Sequence, residues 1–234
     1  MKIDSIDPNF RFDNGIDYKL EDKSHEYRAL AVIRYLFPDE PFSSLTKSER
    51  PDFISIEHSV GLEVTDVSFE KHRRASKEFF KHKHPHGKTN KTKTNIEMSG
   101  ARILSFEEEQ LEVLDFDAFS FDSYINVLKT RINDKEEKSN EYATLEELDL
   151  ALLLDDPVGE ESEAAIVKSI EEILSKSSNF TKIFVISNRF CIRFCSKDHS
   201  IVKKELSKED DFRLKILGRL TAEGEKTLES SEWN

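Results

Sequence analysis

Two carboxylates lie in a stretch of short apolar runs, and their positions favour metal chemistry. Asp52 stands immediately before the apolar run 53–56, and Glu63 stands in the middle of the apolar run 61–67. A carboxylate inside an apolar strand is costly unless a cation, a metal or hydrogen bonds compensate for the lost water. Two carboxylates at one end of a pair of strands can share a divalent ion, because magnesium prefers oxygen ligands. The alternatives are a turn or cap role for Asp52 and a salt bridge for Glu63.

The two runs and the helix before them would position these side chains. Both runs are rich in β-branched residues and are separated by a polar turn at 57–59, which predicts a hairpin of adjacent strands. Residues 22–37 predict a helix with Ser24 as its N-cap and Pro38 as its stop. Glu26 falls in the first turn of that helix, where an acid also interacts favourably with the helix dipole.

The dipeptide PD at 51–52, followed by EVT at 63–65, resembles the PD-(D/E)XK nuclease motif, the signature of the restriction-endonuclease-like fold. The resemblance implies that Asp52 and Glu63 bind the catalytic Mg²⁺ (or Mn²⁺). It also implies a role for Glu26, because in many proteins of this superfamily a glutamate from the helix before the motif strands joins the metal site.

The lysine of the motif is replaced by Thr65 in this chain. In parts of the superfamily the active-site lysine comes from elsewhere in the fold, so the resemblance makes Lys135 and Lys138 candidates for a relocated lysine. Both lie in a predicted long helix at 123–142, on the side that also carries Tyr142. The alternative is that they are exposed lysines that balance neighbouring acids. The implied catalytic set is Asp52, Glu63, Lys135 and Lys138.

The charge of the chain is unevenly distributed. Window 71–93 holds nine basic residues and one acid, so it carries +8 while the rest carries −20, for a total of −12. Such an arm on an acidic body predicts contacts to nucleic-acid phosphates that do not read sequence. A solvated charge run is the alternative. The candidate nucleic-acid-binding residues are Lys71, Arg73, Arg74, Lys77, Lys81 and Lys83.

The remaining pattern predicts an α/β fold, in which a restriction-endonuclease-like mixed central sheet is flanked by helices. The apolar run at 147–154 suits a strand buried on both faces, and a helix at 160–176 and two strands within 180–195 follow it. We also predict a small hairpin around Asn14-Gly15, a polar connection at 39–50, a helix at 68–82, a mobile loop at 84–95 and a further strand at 101–105. The predicted organisation is a hairpin extension (1–21), a nuclease-like domain with the basic arm (22–200), and a charged tail with one short helix (201–234).

The composition narrows the location and the class of function. We expect no secretory signal, because residues 1–10 have neither a basic start nor an apolar run, and no membrane span, because no apolar run approaches eighteen residues. Cys191 and Cys195 lie in one predicted strand and suggest free thiols in a reducing cytoplasm. The motifs predict a nuclease that hydrolyses DNA (or RNA) with a magnesium-activated water. The alternative is a catalytically degraded nuclease-fold module that binds nucleic acid or a protein partner, with a homodimer or a basic partner on the acidic body.

Overall fold

The computed structural model describes residues 6–7, 18–55, 57, 59–83, 89–106, 111–116, 120–142, 145–154, 160–174 and 178–224. In chain order the elements are α1 (Tyr18–Leu36), β1 (Leu45–Lys47), β2 (Phe53–Ser55), β3 (Val60–Val67), α2 (Glu70–Lys83), α3 (Asn90–Met98), β4 (Ala101–Phe106), β5 (Leu111–Phe116), α4 (Phe121–Ser139), β6 (Glu147–Leu154), α5 (Glu160–Leu174), β7 (Lys182–Ile186), β8 (Phe190–Cys195), β9 (Ile201–Glu205) and α6 (Lys208–Ala222). Among the described helices, none combines the length and the apolar character that a membrane crossing needs.

A mixed sheet of seven strands forms the centre of the protein, in the order β1-β2-β3-β6-β7-β8-β9. The first three strands form an antiparallel meander, and β6 then lies parallel to β3. Strand β7 is parallel to β6, whereas β8 and β9 return antiparallel. The prediction of an α/β fold with a mixed central sheet between helices is therefore confirmed, and so is the predicted β2–β3 hairpin.

Helices cover both faces of this sheet, and the strand period decides which face each side chain meets. Alternate residues of a strand point to opposite faces. Leu62 and Val64 of β3 lie in the core formed with α1 and α6, whereas Val67 lies in the core formed with α4 and α5. Glu63 therefore faces the α4 layer. The strand at 147–154 is buried on both faces as predicted, because β6 lies in the middle of the sheet.

Residues 201–222 are integral to the fold, and residues 225–234 lie outside the described residues. The segment from residue 201 was expected to be a charged tail with one short helix, but it supplies the edge strand β9 and the 15-residue helix α6. Helix α6 packs along α1, where a buried ion pair joins Arg28 to Asp211 at 2.7 Å. Gly218 lets the two helices approach closely, since a Cβ there would lie 2.8 Å from the Ser24 carbonyl oxygen.

A small separate unit is inserted between β3 and α4. It consists of α2, α3 and the two-stranded antiparallel sheet β4–β5, around a core that includes Ala75, Ile96 and Ala101. The mobile loop predicted at 84–95 is wrong for residues 90–95, which belong to α3 and begin after the N-cap Thr89; residues 84–88 lie outside the described residues. The predicted strand at 101–105 exists as β4, but it pairs with β5 and not with the central sheet.

Three further expectations differ from the structure. Residues 8–17 of the predicted N-terminal hairpin lie outside the described residues, and residues 18–21 form the first turn of α1. The connection at 39–50 contains strand β1, whose polar sequence LTK gave no strand signal. Helix α4 ends at Ser139, so Tyr142 lies beyond the helix that was predicted to contain it.

Candidate functional site

Glu63 is the most buried of the predicted site carboxylates. It is 5% exposed on the central strand β3, and the Lys135 ammonium from α4 donates a hydrogen bond to its Oε1 atom. The other carboxylate oxygen, Oε2, is buried and makes no hydrogen bond of standard geometry with the described residues, although the Tyr142 hydroxyl interacts with the carboxylate. One oxygen of Glu63 is thus paired with a cation, whereas among the described residues the carboxylate has only the Tyr142 hydroxyl as its further polar neighbour.

The electrostatic surroundings of Glu63 favour an additional cation. Burial raises the pKa of Glu63, and the negative charge of Asp52 raises it further, while Lys135 acts in the opposite direction. Burial and the nearby Glu63 charge also raise the pKa of Tyr142. Burial is the largest of these effects on Glu63, and any further cation close to it would stabilise the ionised carboxylate.

Asp52 is oriented by the backbone of the strand that carries Glu63. The Val64 N–H donates a 2.8 Å hydrogen bond to Asp52 Oδ2, because β2 and β3 are hairpin partners. The other oxygen, Oδ1, lies 3.5 Å from the Lys47 ammonium. That ammonium also lies 2.6 Å from Glu26 Oε2, so Lys47 bridges two of the predicted metal ligands. Burial raises the pKa of Glu26 despite this pairing.

The predicted site residues therefore meet at the side of the sheet where α1, β2, β3 and α4 come together. A cavity of about 260 Å³ lies beside them. Its walls include Glu26, Thr65, Lys135 and Lys138. Thr65 occupies the position of the motif lysine, and the ammonium that reaches Glu63 comes from Lys135, one turn before Lys138.

The carboxylate oxygens of this region suit a hard cation, but lysine ammonium groups already pair with them. Asp52 and Glu63 offer carboxylate oxygens, which Mg²⁺ prefers, and Glu63 Oε2 makes no hydrogen bond of standard geometry within the described residues. An ion at this position would compete with the Lys47 ammonium for Asp52 and Glu26. In the part of the chain that the structure describes, no group of three or more His, Cys, Asp or Glu side chains is already arranged around a common point that could hold a metal.

The predicted nucleic-acid contacts on α2 fall into two groups. Lys71, Arg74 and Lys81 are exposed, and the latter two pair with Glu70 and Glu78 of the same helix. Arg73 and Lys77 instead line a second cavity between α1 and α2. The side chain of Lys83 lies outside the described residues. Helix α2 thus presents basic groups both to solvent and toward the sheet.

Sequence reasoning missed three residues of this region. Lys47 was overlooked because it lies in the connection at 39–50, which was not expected to contain a strand. His25 Nδ1 lies 3.2 Å from Asp66 Oδ2, and this pair lines the same cavity as Glu26. The only sequence signal for His25 and Asp66 was that they lie close in the chain to predicted site residues. His25 directly precedes Glu26, and Asp66 lies on the same strand as Glu63.

The chain matches no family model, and comparisons with curated proteins and with solved structures find no match.

Proposed function

We propose that the protein is a metal-dependent nuclease that hydrolyses phosphodiester bonds of DNA (or RNA). The observation that carries this proposal is the state of Glu63, a buried strand carboxylate beside an Asp52 that is oriented by the Val64 N–H. Its Oε1 atom is paired with Lys135, and its Oε2 atom makes no hydrogen bond of standard geometry with the described residues, so that only the Tyr142 hydroxyl approaches the rest of the carboxylate. If the Glu63–Lys135 pair were only a structural salt bridge, it would not require a second carboxylate, Asp52, beside it.

The order of the elements supports the restriction-endonuclease-like fold as the finer description. A helix carrying Glu26 precedes the motif strands, which are hairpin neighbours carrying Asp52 and Glu63. Helix α4 then supplies Lys135 and leads into β6, which lies parallel to the second motif strand. In this proposal Lys135 takes the role of the motif lysine, which Thr65 cannot fill because it carries no positive charge.

In this proposal each side chain has a separate role. Asp52 and Glu63 hold Mg²⁺ or Mn²⁺, and Glu26 extends the shell. A bound divalent ion lowers the pKa of a water molecule and neutralises charge that develops on the scissile phosphate. Lys135 is positioned by Glu63 to donate hydrogen bonds to the attacking water or to the phosphate. Lys138, one turn away, contacts the phosphate backbone.

The basic helix α2 brings the nucleic acid to this site. It follows directly after β3, so its exposed Lys71, Arg74 and Lys81 lie on the element next to the candidate metal strand. Contacts from these groups to phosphates supply affinity without sequence preference. A reducing cytoplasmic location is part of the proposal, since Cys191 is buried as a free thiol.

A second candidate function is a binding module with a degraded site. The observation that favours it is that each of the three predicted metal ligands already pairs with a lysine, Glu26 and Asp52 with Lys47 and Glu63 with Lys135. In this case the acidic body docks a basic protein partner or a second copy of the chain, or the module binds nucleic acid without cutting it.

A cleavage assay decides between the two functions. Single- and double-stranded DNA and RNA are incubated with Mg²⁺, Mn²⁺ or EDTA, and the Glu63→Gln variant is compared with Glu163→Gln. Glu163 is a suitable control because it also forms an ion pair between elements, 2.9 Å from Lys203, away from the site. We expect metal-dependent cleavage that Glu63→Gln reduces by about 100-fold or more and Glu163→Gln leaves unchanged.

Metal binding is measured in parallel by thermal unfolding, because a ligand of the folded state raises its stability. A folded wild-type protein that cleaves none of the substrates, and whose melting temperature does not respond to Mg²⁺ or Mn²⁺, would contradict the nuclease and leave the binding module.

A further inference from the structure

A second cavity of about 270 Å³ lies beside the candidate site. It is bounded by the start of α1, the end of β3, helix α2 and strand β5. The two cavities share four lining residues, namely Asp22, His25, Asp66 and Arg73. A polymer that occupies one cavity can therefore place a neighbouring group in the other.

Aromatic rings form part of the wall of this second cavity. Phe80, Phe116 and His72 line it, and the rings of His72 and Phe116 lie 4.2 Å apart at an angle of 31°. Such rings offer flat, polarisable surfaces on which a planar group packs favourably. The volume of about 270 Å³ lies just below the usual range of ligand pockets, about 300–1,000 Å³, so the cavity suits a small group.

Two oxygen atoms at the cavity lack partners within the described part of the chain. Asp66 Oδ1 and Ser68 Oγ are buried and make no hydrogen bond there. The other oxygen of Asp66 is already paired with His25 at 3.2 Å. A buried acceptor without a donor is unfavourable, so a ligand that brings N–H groups would remove this cost.

The charges of the lining residues disfavour an anion inside the cavity. Three carboxylates, those of Glu21, Asp22 and Asp66, line it together with Arg73 and Lys77. A free phosphate would meet these acids at close range, whereas a neutral ring with a polar edge would not. Arg73 lines both cavities and is placed to contact a phosphate that joins the two positions.

We propose that this cavity binds one unstacked nucleobase of a strand whose phosphate lies at the Glu63 site. The base packs against the aromatic wall, and its amino group or ring N–H donates hydrogen bonds to Asp66 and Ser68. This inference rests on the proposed function to the extent that the ligand is a nucleic-acid strand, and it adds that the substrate is single-stranded or locally opened at the site.

The test scans a fluorescein-labelled single-stranded DNA octamer with an abasic position moved along it, in EDTA to prevent metal-dependent cleavage. Binding is followed by fluorescence anisotropy. We expect one position at which loss of the base weakens binding by about tenfold, the magnitude typical of one stacked base. The neighbouring positions should show smaller effects.

Variants locate the effect in the cavity. Ser76→Phe fills the space from α2, whereas Thr94→Phe adds the same side chain at an exposed position of α3 in the same unit. The position-specific loss should disappear in Ser76→Phe and persist in Thr94→Phe. Phe80→Ala is the second variant if Ser76→Phe fails to fold, and it should weaken the intact octamer by a similar factor.

The outcomes separate this inference from the nuclease proposal. If cleavage depends on Glu63 but every abasic position weakens octamer binding equally, the base-binding cavity is overturned and the nuclease is not. A position-specific loss without cleavage on any substrate would support the cavity and overturn the nuclease. Adenosine 5′-monophosphate that competes as strongly as the octamer would show a free-nucleotide site and overturn the strand-bound base. Absence of any octamer binding would overturn the base-binding cavity, whereas the cleavage assay decides the nuclease separately.

Discussion

At the scale of single residues, the site is defined by how each acid is neutralised. Glu63 is shielded from water and depends on Lys135, whose ammonium crosses from α4 to the sheet. Asp52 depends on a backbone N–H and on Lys47. These two arrangements differ in consequence, since removal of one partner of a buried ion pair leaves an uncompensated charge, whereas an exposed pair is worth little.

Replacement of Lys135 by alanine should reduce both stability and cleavage. The free energy of unfolding should fall by about 3 kcal/mol, because Glu63 would remain buried without its cation. Lys129→Ala is the matched control on the same helix, since Lys129 pairs with Glu172 at 3.1 Å near the surface, and it should cost less than about 1 kcal/mol. Urea unfolding measures both variants, and equal losses would contradict the role of Lys135. Addition of Glu63→Gln to Lys135→Ala should recover part of the loss.

Glu21 should make the stability depend on pH. Burial raises its pKa to about 7, partly opposed by His25. The folded state then holds the proton more tightly than the unfolded state, so this contribution to stability is complete below about pH 4.5 and is lost as the pH rises to about 7.

The check compares wild type and Glu21→Gln by urea unfolding at pH 5 and pH 8. The variant should gain about 2 kcal/mol relative to wild type between the two pH values, because glutamine stays neutral. Glu171→Gln, an exposed position on α5, is the control and should show no such gain. Parallel pH profiles for wild type and Glu21→Gln would rule out the effect.

At the scale of elements, the site depends on helices that hold the sheet edge in place. Helix α1 carries Glu26 and is fixed from outside by α6, which is joined to it through the Arg28–Asp211 ion pair. Gly218 of α6 lies against the α1 backbone, so that the two helices pack with little space between them. A change on α6 is therefore expected to act on Glu26 through the position of α1.

Gly218→Ala should destabilise the protein, although the same change in a free helix would stabilise it by about 1 kcal/mol. The added Cβ would lie 2.8 Å from the Ser24 carbonyl oxygen and 2.9 Å from the Arg28 nitrogen, and backbone atoms cannot move aside cheaply. We expect a loss of about 2 kcal/mol in the free energy of unfolding. Lys208→Ala, at the exposed start of α6, is the control for a change on the same helix. A stabilised Gly218→Ala variant would refute the close packing.

At the scale of the whole molecule, an acidic body carries one basic unit. The net charge of −12 repels nucleic acid at long range, whereas window 71–93 attracts it. The orientation of a bound nucleic acid would then be set by the inserted unit of α2, α3, β4 and β5. Its helix α2 begins three residues after β3 ends. Such binding depends on released counterions and therefore on salt concentration.

Removal of three exposed basic side chains from α2 should weaken binding uniformly across sequences. The triple variant Lys71→Ala, Arg74→Ala, Lys81→Ala should reduce the slope of log K against log salt by about 2, at somewhat less than one unit per lost phosphate contact. A triple alanine variant at exposed lysines elsewhere, Lys168, Lys197 and Lys208, is the control. Anisotropy titrations over a range of salt concentrations measure the slopes, and equal slopes for the two variants would contradict the α2 interface.

Local patterns in the sequence determined the elements whose burial or pairing depends only on nearby residues. The apolar run at 147–154 predicts β6 because a central strand is buried on both faces. The hairpin that brings Asp52 beside the Glu63 strand is also local, since its two strands are separated only by a short turn. Helical periodicity put Lys135 and Lys138 on one side of the predicted helix, and the resemblance to the nuclease motif made them candidate site lysines.

Tertiary structure alone decided the features whose partners are distant in the chain. Strand β1 is a three-residue polar segment that exists because β2 offers backbone hydrogen bonds, and it delivers Lys47 to Glu26 and Asp52. Strand β9 and helix α6 carry many charges, yet they belong to the sheet and the core because β8 and α1 cover their inner faces. The second cavity is assembled from four elements between α1 and β5, so no single segment encodes it. Sequence patterns report local burial and periodicity, whereas long-range pairing and the space between elements arise only when the whole chain has packed.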